Sequence, residues 1–382
     1  MNKRKIKKFF VFALILLFVV PMFGCWDYVT LPDTGVVLAM AVDKDPATNN
    51  YKLAFDIIDM KNSSKDKGIK DIIVESEGVT IFDAIRNAKR KLAVKVFFGN
   101  MEVIVVSDEL ARTEGIMNIV EFMIRDQEPR ETLNILISQE KTAKELLLLQ
   151  GITNMSGSEL HEIVHEDRKV TAKTENVELF EIFNMLEGKN QQLALPAFHK
   201  VKADDKETFE SNGCAIFKED KLIGYLSPDD TFYYLMITDK LQGGIMNLQV
   251  QKDRLTAFEI YKSKTKLSYE YDKKTDKFKM IIGIEIFASI HDFPGQNELI
   301  DENNIKNMQE AAQKGITDNI KRVVSEIQNN YDSDIFGFGE LIYRKNPKLW
   351  KNISKDWDKY FKNLEVEVKP HVQIKETGLV GK

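Results

Sequence analysis

The N-terminal segment constrains the fold most, because it divides the chain into a short apolar leader and a long polar remainder. Five basic residues lie within residues 3–8, and an almost uninterrupted apolar run extends from Phe9 to Phe23. A helix of about 15 residues spans about 22 Å, less than the roughly 30 Å hydrocarbon core of a bilayer. The run ends at Gly24-Cys25, a small residue followed by a cysteine. We therefore predict that residues 1–24 are a lipoprotein signal peptide.

Cys25 is the predicted lipid attachment site. Cleavage before Cys25 would make it the new N-terminus, carrying a diacylglyceryl group on its thiol and an acyl group on its nitrogen. Two or more acyl chains hold a protein stably on a membrane, whereas a single chain does not. An uncleaved anchor and a simple secretory signal are the alternatives, since Met22 and Phe23 depart from the usual processing sequence. No other apolar run reaches 18 residues, so we expect the remainder to be soluble and to need no further cofactor.

The charge and cysteine content exclude some classes of partner. The formal net charge is −5, and the leader holds five of the 54 Lys and Arg residues but none of the 59 Asp and Glu residues. The mature chain is therefore more acidic still, which disfavours both nucleic acid and anionic lipid surfaces as partners. The second cysteine, Cys214, has no partner for a disulfide if Cys25 is lipidated. We expect Cys214 to be a buried, inert thiol.

The first half of the mature chain has the pattern of an α/β domain. Apolar and β-branched runs predict strands, and runs with apolar residues three and four apart predict helices between them. The predicted strands are Val36–Val42, Tyr51–Met60, Met101–Val106 and Leu133–Ile137. We predict a domain over residues 25–198, with two subdomains as an alternative. The polar stretch 199–210 has no apolar periodicity and is the predicted linker.

The second half, residues 211–382, predicts an α+β domain. Ser227-Pro228-Asp229-Asp230 combines a capping hydroxyl, an early proline and acids in a first helical turn. Residues 278–290 alternate between apolar and other side chains and predict one strand of a hairpin. Asn304–Gln328 predicts a long amphipathic helix, and Pro370 indicates an edge strand near the end. The expected fold class is mixed α and β in more than one domain, with a C-terminal antiparallel sheet packed against the long helix.

His161-Glu162-Ile163-Val164-His165 matches the H-E-x-x-H pattern of zinc hydrolases. Two histidines four residues apart share one helix face and can bind Zn²⁺, with the glutamate as general base. Acidic and basic residues flank the motif on both sides, however, and burying those charges beside zinc would cost several kcal/mol. Glu181 or His199 could be a third ligand. A solvated helix with Leu160 and Val164 facing the core is the simpler interpretation.

Three further patterns are weaker. Asp332-Ser333-Asp334 with Gly337 is similar to the start of a calcium loop, but Phe336 and Tyr343 occupy ligand positions, so a turn is expected. Gly337-Phe338-Gly339 lacks the third glycine of a dinucleotide site. A set of aromatic residues at helical spacing predicts core or an interdomain contact, with a partner-binding face as the alternative: Trp350, Trp357, Tyr360 and Phe361.

Several stretches resemble the Ger(x)C family of spore germination proteins along almost the whole mature chain. They are GCWD from Gly24, FFGNMEVIVVSDE from Phe97, EFMIRDQEPRE from Glu121, NGCAIFKEDKLIGYLSPDDTFYYLMITDKLQGGI from Asn212, DIFGFGE from Asp334, and ETGL from Glu376. Tyr28–Thr30 lacks the charged pair that often follows the first of these. Their order and spacing make the resemblance specific, although no single stretch is decisive.

The resemblance implies a non-catalytic C subunit of a nutrient germinant receptor. Such a subunit lies on the outer face of the spore inner membrane, beside an integral-membrane A subunit and a transporter-like B subunit. Only the lipidated cysteine can be transferred from the family, onto Cys25, with no catalytic or metal residue. Two other functions stay open on the residues alone: a zinc-dependent hydrolase using His161, Glu162 and His165, and a solute-binding lipoprotein of a transporter.

Overall fold

The structure is a computed structural model. It describes residues 3–19, 34–58, 71–92, 94–149, 151, 155–188, 190–204, 206–251, 254–292 and 302–377. The predicted lipidation site, Cys25, lies outside these ranges. The leader forms helix α1 (Lys3–Val19). Within the described ranges, no helix has both the length and the apolar character needed to cross a bilayer.

The first half of the chain is built on a mixed sheet, which has nine strands among the described residues. They are β1 (Thr34–Lys44), β2 (Tyr51–Ile58), β3 (Asp71–Gly78), β4 (Lys95–Phe97), β5 (Val103–Ser107), β6 (Asn134–Ser138), β7 (Ala194–Ala203), β8 (Lys206–Lys218) and β9 (Lys221–Leu226). The strand order is β3-β2-β1-β5-β6-β7-β8-β9, and β4 pairs with β1. The central pairs β1–β5, β5–β6 and β6–β7 are parallel, and the outer pairs are antiparallel. Parallel neighbours need crossover connections, which explains the alternation of strands and helices.

Helices cover both faces of this sheet. They are α2 (Ile81–Ala88), α3 (Asp108–Thr113), α4 (Met117–Arg125), α5 (Ala143–Leu147), α6 (Ser156–Val170) and α7 (Leu179–Gly188). The buried residues of α2, α3, α4 and α7 form one core cluster, and those of α5 and α6 form another on the opposite face. Small residues bring α6 close to the sheet, since a Cβ built at Gly157 would lie 2.6 Å from the Cβ of Ala39.

The second sheet has four strands in the order β10-β11-β12-β13. Their bounds are β10 (Gly244–Gln251), β11 (Arg254–Asp272), β12 (Lys277–Asp292) and β13 (Glu365–Thr377). The accompanying helices are α8 (Pro228–Ile237), α9 (Glu302–Asn330), α10 (Phe338–Lys345), α11 (Pro347–Ile353) and α12 (Trp357–Lys362), with a 3₁₀ turn at Ser354–Asp356. The alternating residues Met280, Ile282, Ile284 and Ile286 of β12 are buried in one core with Ile316 and Ile320 of α9. The structure confirms the predicted mixed fold of two unlike halves.

One detail of the predicted sheet is wrong. The last strand, β13, contains Pro370 and lies at the sheet edge as predicted, but it pairs with β12 in parallel. The connection from β12 to β13 passes through α9 to α12, which is long enough to return the chain to the starting end of the sheet. This sheet is therefore mixed. The sequence could not predict this, because the alternation of side chains shows which face of a strand is buried but not the direction of the strand.

The segment predicted as a linker, residues 199–210, is the tip of a hairpin. His199 pairs with Glu210 and Ala203 with Lys206, so β7 and β8 continue through the segment. Most of its side chains are exposed, and Phe209 is buried. Backbone hydrogen bonds between the two strands stabilise this hairpin, and most of its side chains are polar. Because it has no apolar periodicity, its sequence predicts a polar loop. Because β8 and β9 belong to the first sheet while Cys214 and Ile216 lie in the core of the second half, the two halves share buried structure.

Candidate functional site

The H-E-x-x-H sequence lies on α6, as the helical spacing predicted. The His161 and His165 rings stack with centroids 6.1 Å apart, and Glu162 is exposed. Leu160 and Val164 are fully buried, as the simpler interpretation expected. In the part of the chain that the structure describes, which includes Glu181 and His199, no three His, Cys, Asp or Glu side chains are arranged to hold a metal ion. The histidines therefore face a different environment from that of a metal centre.

Both histidines belong to a hydrogen-bond circuit with two asparagines. Asn134 Nδ2 donates to Asn176 Oδ1 and to the Val177 carbonyl, both at 2.9 Å. This orients Asn134 Oδ1 as the acceptor for His161 Nδ1–H at 3.0 Å. Asn176 Nδ2 in turn lies 3.5 Å from His165 Nδ1, a long contact. These hydrogen bonds join α6, β6 and the segment before α7. The four side chains therefore hold these elements in position.

The segment before α7 also contains a buried acid, Glu175, which lies where the two halves of the chain meet. Glu175 is buried, and its Oε2 accepts a hydrogen bond from Lys240 Nζ at 3.1 Å. Tyr234 of α8 is buried close to Glu175, and burial raises the pKa of this tyrosine well above its usual value. The Cys214 thiol lies close by and is fully buried, which raises its pKa, so the predicted buried thiol is confirmed. Sequence reasoning missed Glu175 because a glutamate in a loop normally indicates exposure.

The start of α8 is capped as predicted and tied to α9. Ser227 Oγ accepts from the Asp230 backbone N–H at 3.1 Å, and Pro228 occupies the first turn. The Asp230 carboxylate then forms an ion pair with the Arg322 guanidinium of α9. The acid at this helix start therefore does more than interact with the helix dipole, since it fixes α8 against α9.

A second buried acid, Asp334, explains the DIFGFGE stretch. Its oxygens accept from the backbone N–H of Phe338 at 3.1 Å, from that of Gly339 at 2.7 Å and from Trp357 Nε1 at 3.1 Å. Burial raises the pKa of Asp334 to about 6 despite these donors. The side chain caps α10 and positions Trp357. The turn prediction is confirmed, since the Ile335 backbone N–H donates to the Ser333 carbonyl at 2.9 Å and residues 335–336 form a turn. Ser333 Oγ also donates to the Phe217 carbonyl at 2.6 Å, which ties the turn to β8.

The aromatic residues around this corner form core, as one of the two interpretations expected. Trp350, Trp357 and Phe361 are buried, and the rings of Trp350 and Trp357 meet edge to face at 5.3 Å. Tyr360 reaches the surface, where its hydroxyl donates to Asp276 at 2.8 Å. These side chains close the second core, and only the tyrosine edge is accessible to a partner.

Comparison with known proteins gives matches along nearly the whole chain. Residues 27–200 match the family model described as "Spore germination protein N-terminal domain". Residues 212–378 match the family model described as "Spore germination B3/ GerAC like, C-terminal". The two models meet across the β7–β8 hairpin and cover both sheets.

Curated relatives and a solved structure agree with these matches. The chain is 23% identical over 398 residues to spore germination protein KC of Bacillus subtilis (strain 168), covering 98% of this chain and 97% of that protein. It is 24% identical to spore germination protein A3 of the same strain and 22% identical to spore germination protein GerQC of Bacillus cereus. These matches cover 94% and 98% of this chain, and 95% and 99% of the two relatives. The crystal structure of the GerBC protein aligns with a TM-score of 0.59 over 88% of this chain and 96% of that one, at 18% identity.

Proposed function

Since the chain belongs to the Ger(x)C family of spore germination proteins, we propose that it is a non-catalytic, lipid-anchored subunit of a spore nutrient germinant receptor. In this proposal it binds or scaffolds the integral-membrane A and B subunits at the spore inner membrane and helps to relay nutrient occupancy. The observation that carries the proposal is the match of both family models in order over both halves of the chain. Relatives matched over nearly their full length bear germination names, which supports the same role.

The described side chains support a non-catalytic role. A nucleophile needs an accessible side chain and an adjacent base. Cys214 is fully buried, and its raised pKa keeps it protonated. His161 donates to an asparagine that is itself oriented by two further hydrogen bonds, so its Nδ1 proton is committed to the fold. The proposed activity is therefore assembly and signal relay by a rigid body.

The proposed anchor is the lipid on Cys25. The short apolar leader and the Gly24-Cys25 junction support it. Each buried CH₂ contributes about 0.8 kcal/mol, so two or three acyl chains hold the chain on a bilayer without a spanning helix. The outer face of the membrane follows from export of the mature chain. Mass spectrometry of the mature N-terminus tests the anchor: a diacylglyceryl and acyl adduct on Cys25 supports it, and an unmodified Cys25 or a retained leader contradicts it.

Deletion of the gene tests the receptor role. We expect the deletion strain to lose germination with one set of nutrients while other receptors still respond. Re-expression of the unaltered chain should restore the response, and a Cys25→Ala chain should restore it poorly because the protein leaves the membrane. A deletion strain that responds fully to every nutrient would overturn the proposal.

A further inference from the structure

In the part of the chain that the structure describes, the outer face of the second sheet is half-buried to exposed between Lys279 and Phe287 of β12. Inward residues of β12 pack under α9, whereas Lys279, Ile281, Gly283, Glu285 and Phe287 alternate with them and point away from the core. A Cβ built at Gly283 would meet only the Lys266 carbonyl, at 3.7 Å, so no described residue covers the sheet at this position.

Basic and aromatic side chains lie on this face from the row of Gly283 to the end away from the hairpin tip. We call Tyr261, Lys262, Lys266, Phe287, Lys369 and Lys375 the lysine face. Lys266 and Lys369 flank Gly283 in one row across three strands, and Lys262 is paired with Phe287 in another. The ammonium groups of Lys262 and Lys375 lie 5.5 and 4.6 Å from the Phe287 ring centroid. Tyr261 is 48% exposed.

Three of the four lysines of the lysine face have no ion-pair partner among the described side chains. Within the described residues, Lys262, Lys266 and Lys375 form no ion pair, and Lys369 shares Glu367 with Lys279. Among the described side chains, Glu259 and Glu285 lie on the same side of these rows, and Glu270, Glu365 and Glu367 lie on that side nearer the hairpin tip. The rows that form the lysine face therefore have a modest positive excess. The hairpin-tip end differs, because Glu365 and Glu367 both approach Lys279 there. The chain as a whole has a net charge of −5, so this basic region is a local exception to its acidic character.

We propose that the lysine face rests on anionic phospholipid headgroups of the membrane to which the chain is anchored. Lysine ammonium groups on flexible stems and exposed tyrosine and phenylalanine rings are the side chains that bind such a surface. The positive charge of these lysines complements the negative charge of a headgroup layer. The inference rests on the proposed lipid anchor, which holds the sheet at high effective concentration beside the bilayer. Repulsion between Glu365, Glu367 and the headgroups tilts the hairpin tip away.

Lysine acetylation of the full anchored chain tests this contact. The chain is reconstituted into vesicles of phosphatidylcholine alone or with phosphatidylglycerol, labelled briefly with an acetylating reagent, and digested for mass spectrometry. We expect labelling of Lys262, Lys266, Lys369 and Lys375 to slow by about fivefold in the anionic vesicles. This factor is equivalent to about 1 kcal/mol per lysine. Lys348, Lys351 and Lys355, which are exposed around α11, should label equally in both vesicles.

Salt and a triple substitution sharpen the test. At about 1 M salt the Debye length falls to about 3 Å, so the protection should disappear. In the K262Q/K266Q/K375Q variant Lys369 should lose its protection, whereas a K348Q/K351Q/K355Q control should keep it. Equal labelling in both vesicles would overturn the proposal, and so would protection that appears only with receptor subunits, which would assign the face to a protein. Flotation of the vesicles measures the anchor separately, so loss of anchorage and loss of this contact are distinguishable.

Discussion

Lys240 Nζ and Glu175 Oε2 lie 3.1 Å apart and form an ion pair where the segment before α7 meets the turn after α8. Glu175 is buried, whereas the Lys240 side chain is 32% exposed. Tyr234 of α8 is buried close to the same carboxylate, so the ion pair lies where α8 meets the first half of the chain. Such a buried acid fixes the relative position of the two halves, because moving them apart would leave a charge without its partner.

Lys240→Met should destabilise the chain. Removing the ammonium leaves the Glu175 carboxylate buried with less compensation, at a cost of about 3 kcal/mol, the lower end for a broken buried pair since Lys240 is partly exposed. The Glu175→Gln/Lys240→Met double variant should recover most of this loss. Lys169→Met is the matched control, because its pair with Glu166 is exposed on both sides and is worth less than about 1 kcal/mol. Urea unfolding measures all three. Equal losses for Lys240→Met and Lys169→Met would contradict the role of the pair.

Gly339→Ala should disrupt the Asp334 corner. A Cβ at this position would lie 2.7 Å from Trp350 Cη2 and 2.8 Å from the Asn190 carbonyl, so the tryptophan or the backbone must move. We expect a loss of about 1–3 kcal/mol, the usual cost of overpacking a core. Gly188→Ala, where nothing lies within 4 Å, should be neutral or slightly stabilising. Thermal unfolding of the two variants tests the prediction, which fails if Gly339→Ala unfolds at the same temperature as the unaltered chain.

Asp56→Asn should make stability less dependent on pH. Burial, with a smaller contribution from neighbouring Asp71, raises the pKa of Asp56 to about 7. The folded chain therefore keeps a proton that the unfolded chain loses near pH 4, and stability falls as pH rises from about 4 to 7. An asparagine can still accept from the Gly157 N–H, which now donates to Asp56 Oδ2 at 3.0 Å.

The free energy of unfolding of Asp56→Asn should equal that of the unaltered chain near pH 4. At pH 8 it should be higher by about 1–3 kcal/mol, the cost of an uncompensated buried polar group, because the unaltered chain then has a charged Asp56. Asp45→Asn is the control. Asp45 is half-buried and its hydrogen bond to Lys52 lowers its pKa, so this change should shift stability equally at pH 5 and pH 8. Denaturant unfolding across pH 4–8 checks both variants. Parallel stability curves for Asp56→Asn and the unaltered chain would rule out the buried proton.

His161→Ala should leave germination intact. The histidine donates one hydrogen bond to Asn134, so its removal should cost about 1 kcal/mol of stability. We expect purified protein to contain well under one zinc per chain and the variant to complement the deletion strain. Stoichiometric zinc together with an inactive variant would instead favour the hydrolase hypothesis.

Local patterns predicted much of this fold because their causes are local. The Ser227 hydroxyl caps α8, and the alternation along β12 places Ile282 and Ile284 in the core, as predicted. The helix bearing His161 and His165 also forms where the spacing indicated. Each of these depends on neighbours within a few residues or on the period of one element.

The features that sequence reasoning missed depend on long-range partners. The strand direction of β13 is set by a connection of some four helices, and the 199–210 hairpin is held by backbone pairing with polar side chains outside. Glu175 is buried only because Lys240, 65 positions away, meets it. Asp56 is likewise buried beneath Gly157 at the start of α6, about a hundred residues later. No pattern along the chain marks such residues.

Crosslinking in isolated spore membranes tests the central claim most directly. The anchored chain is crosslinked to its neighbours, purified under denaturing conditions, and the attached proteins are identified by mass spectrometry. The proposed receptor role predicts that the integral-membrane A and B subunits are the main proteins crosslinked to the chain. The same purification from the deletion strain should recover neither subunit. Recovery of the chain without either subunit would contradict the claim that it works as part of a germinant receptor.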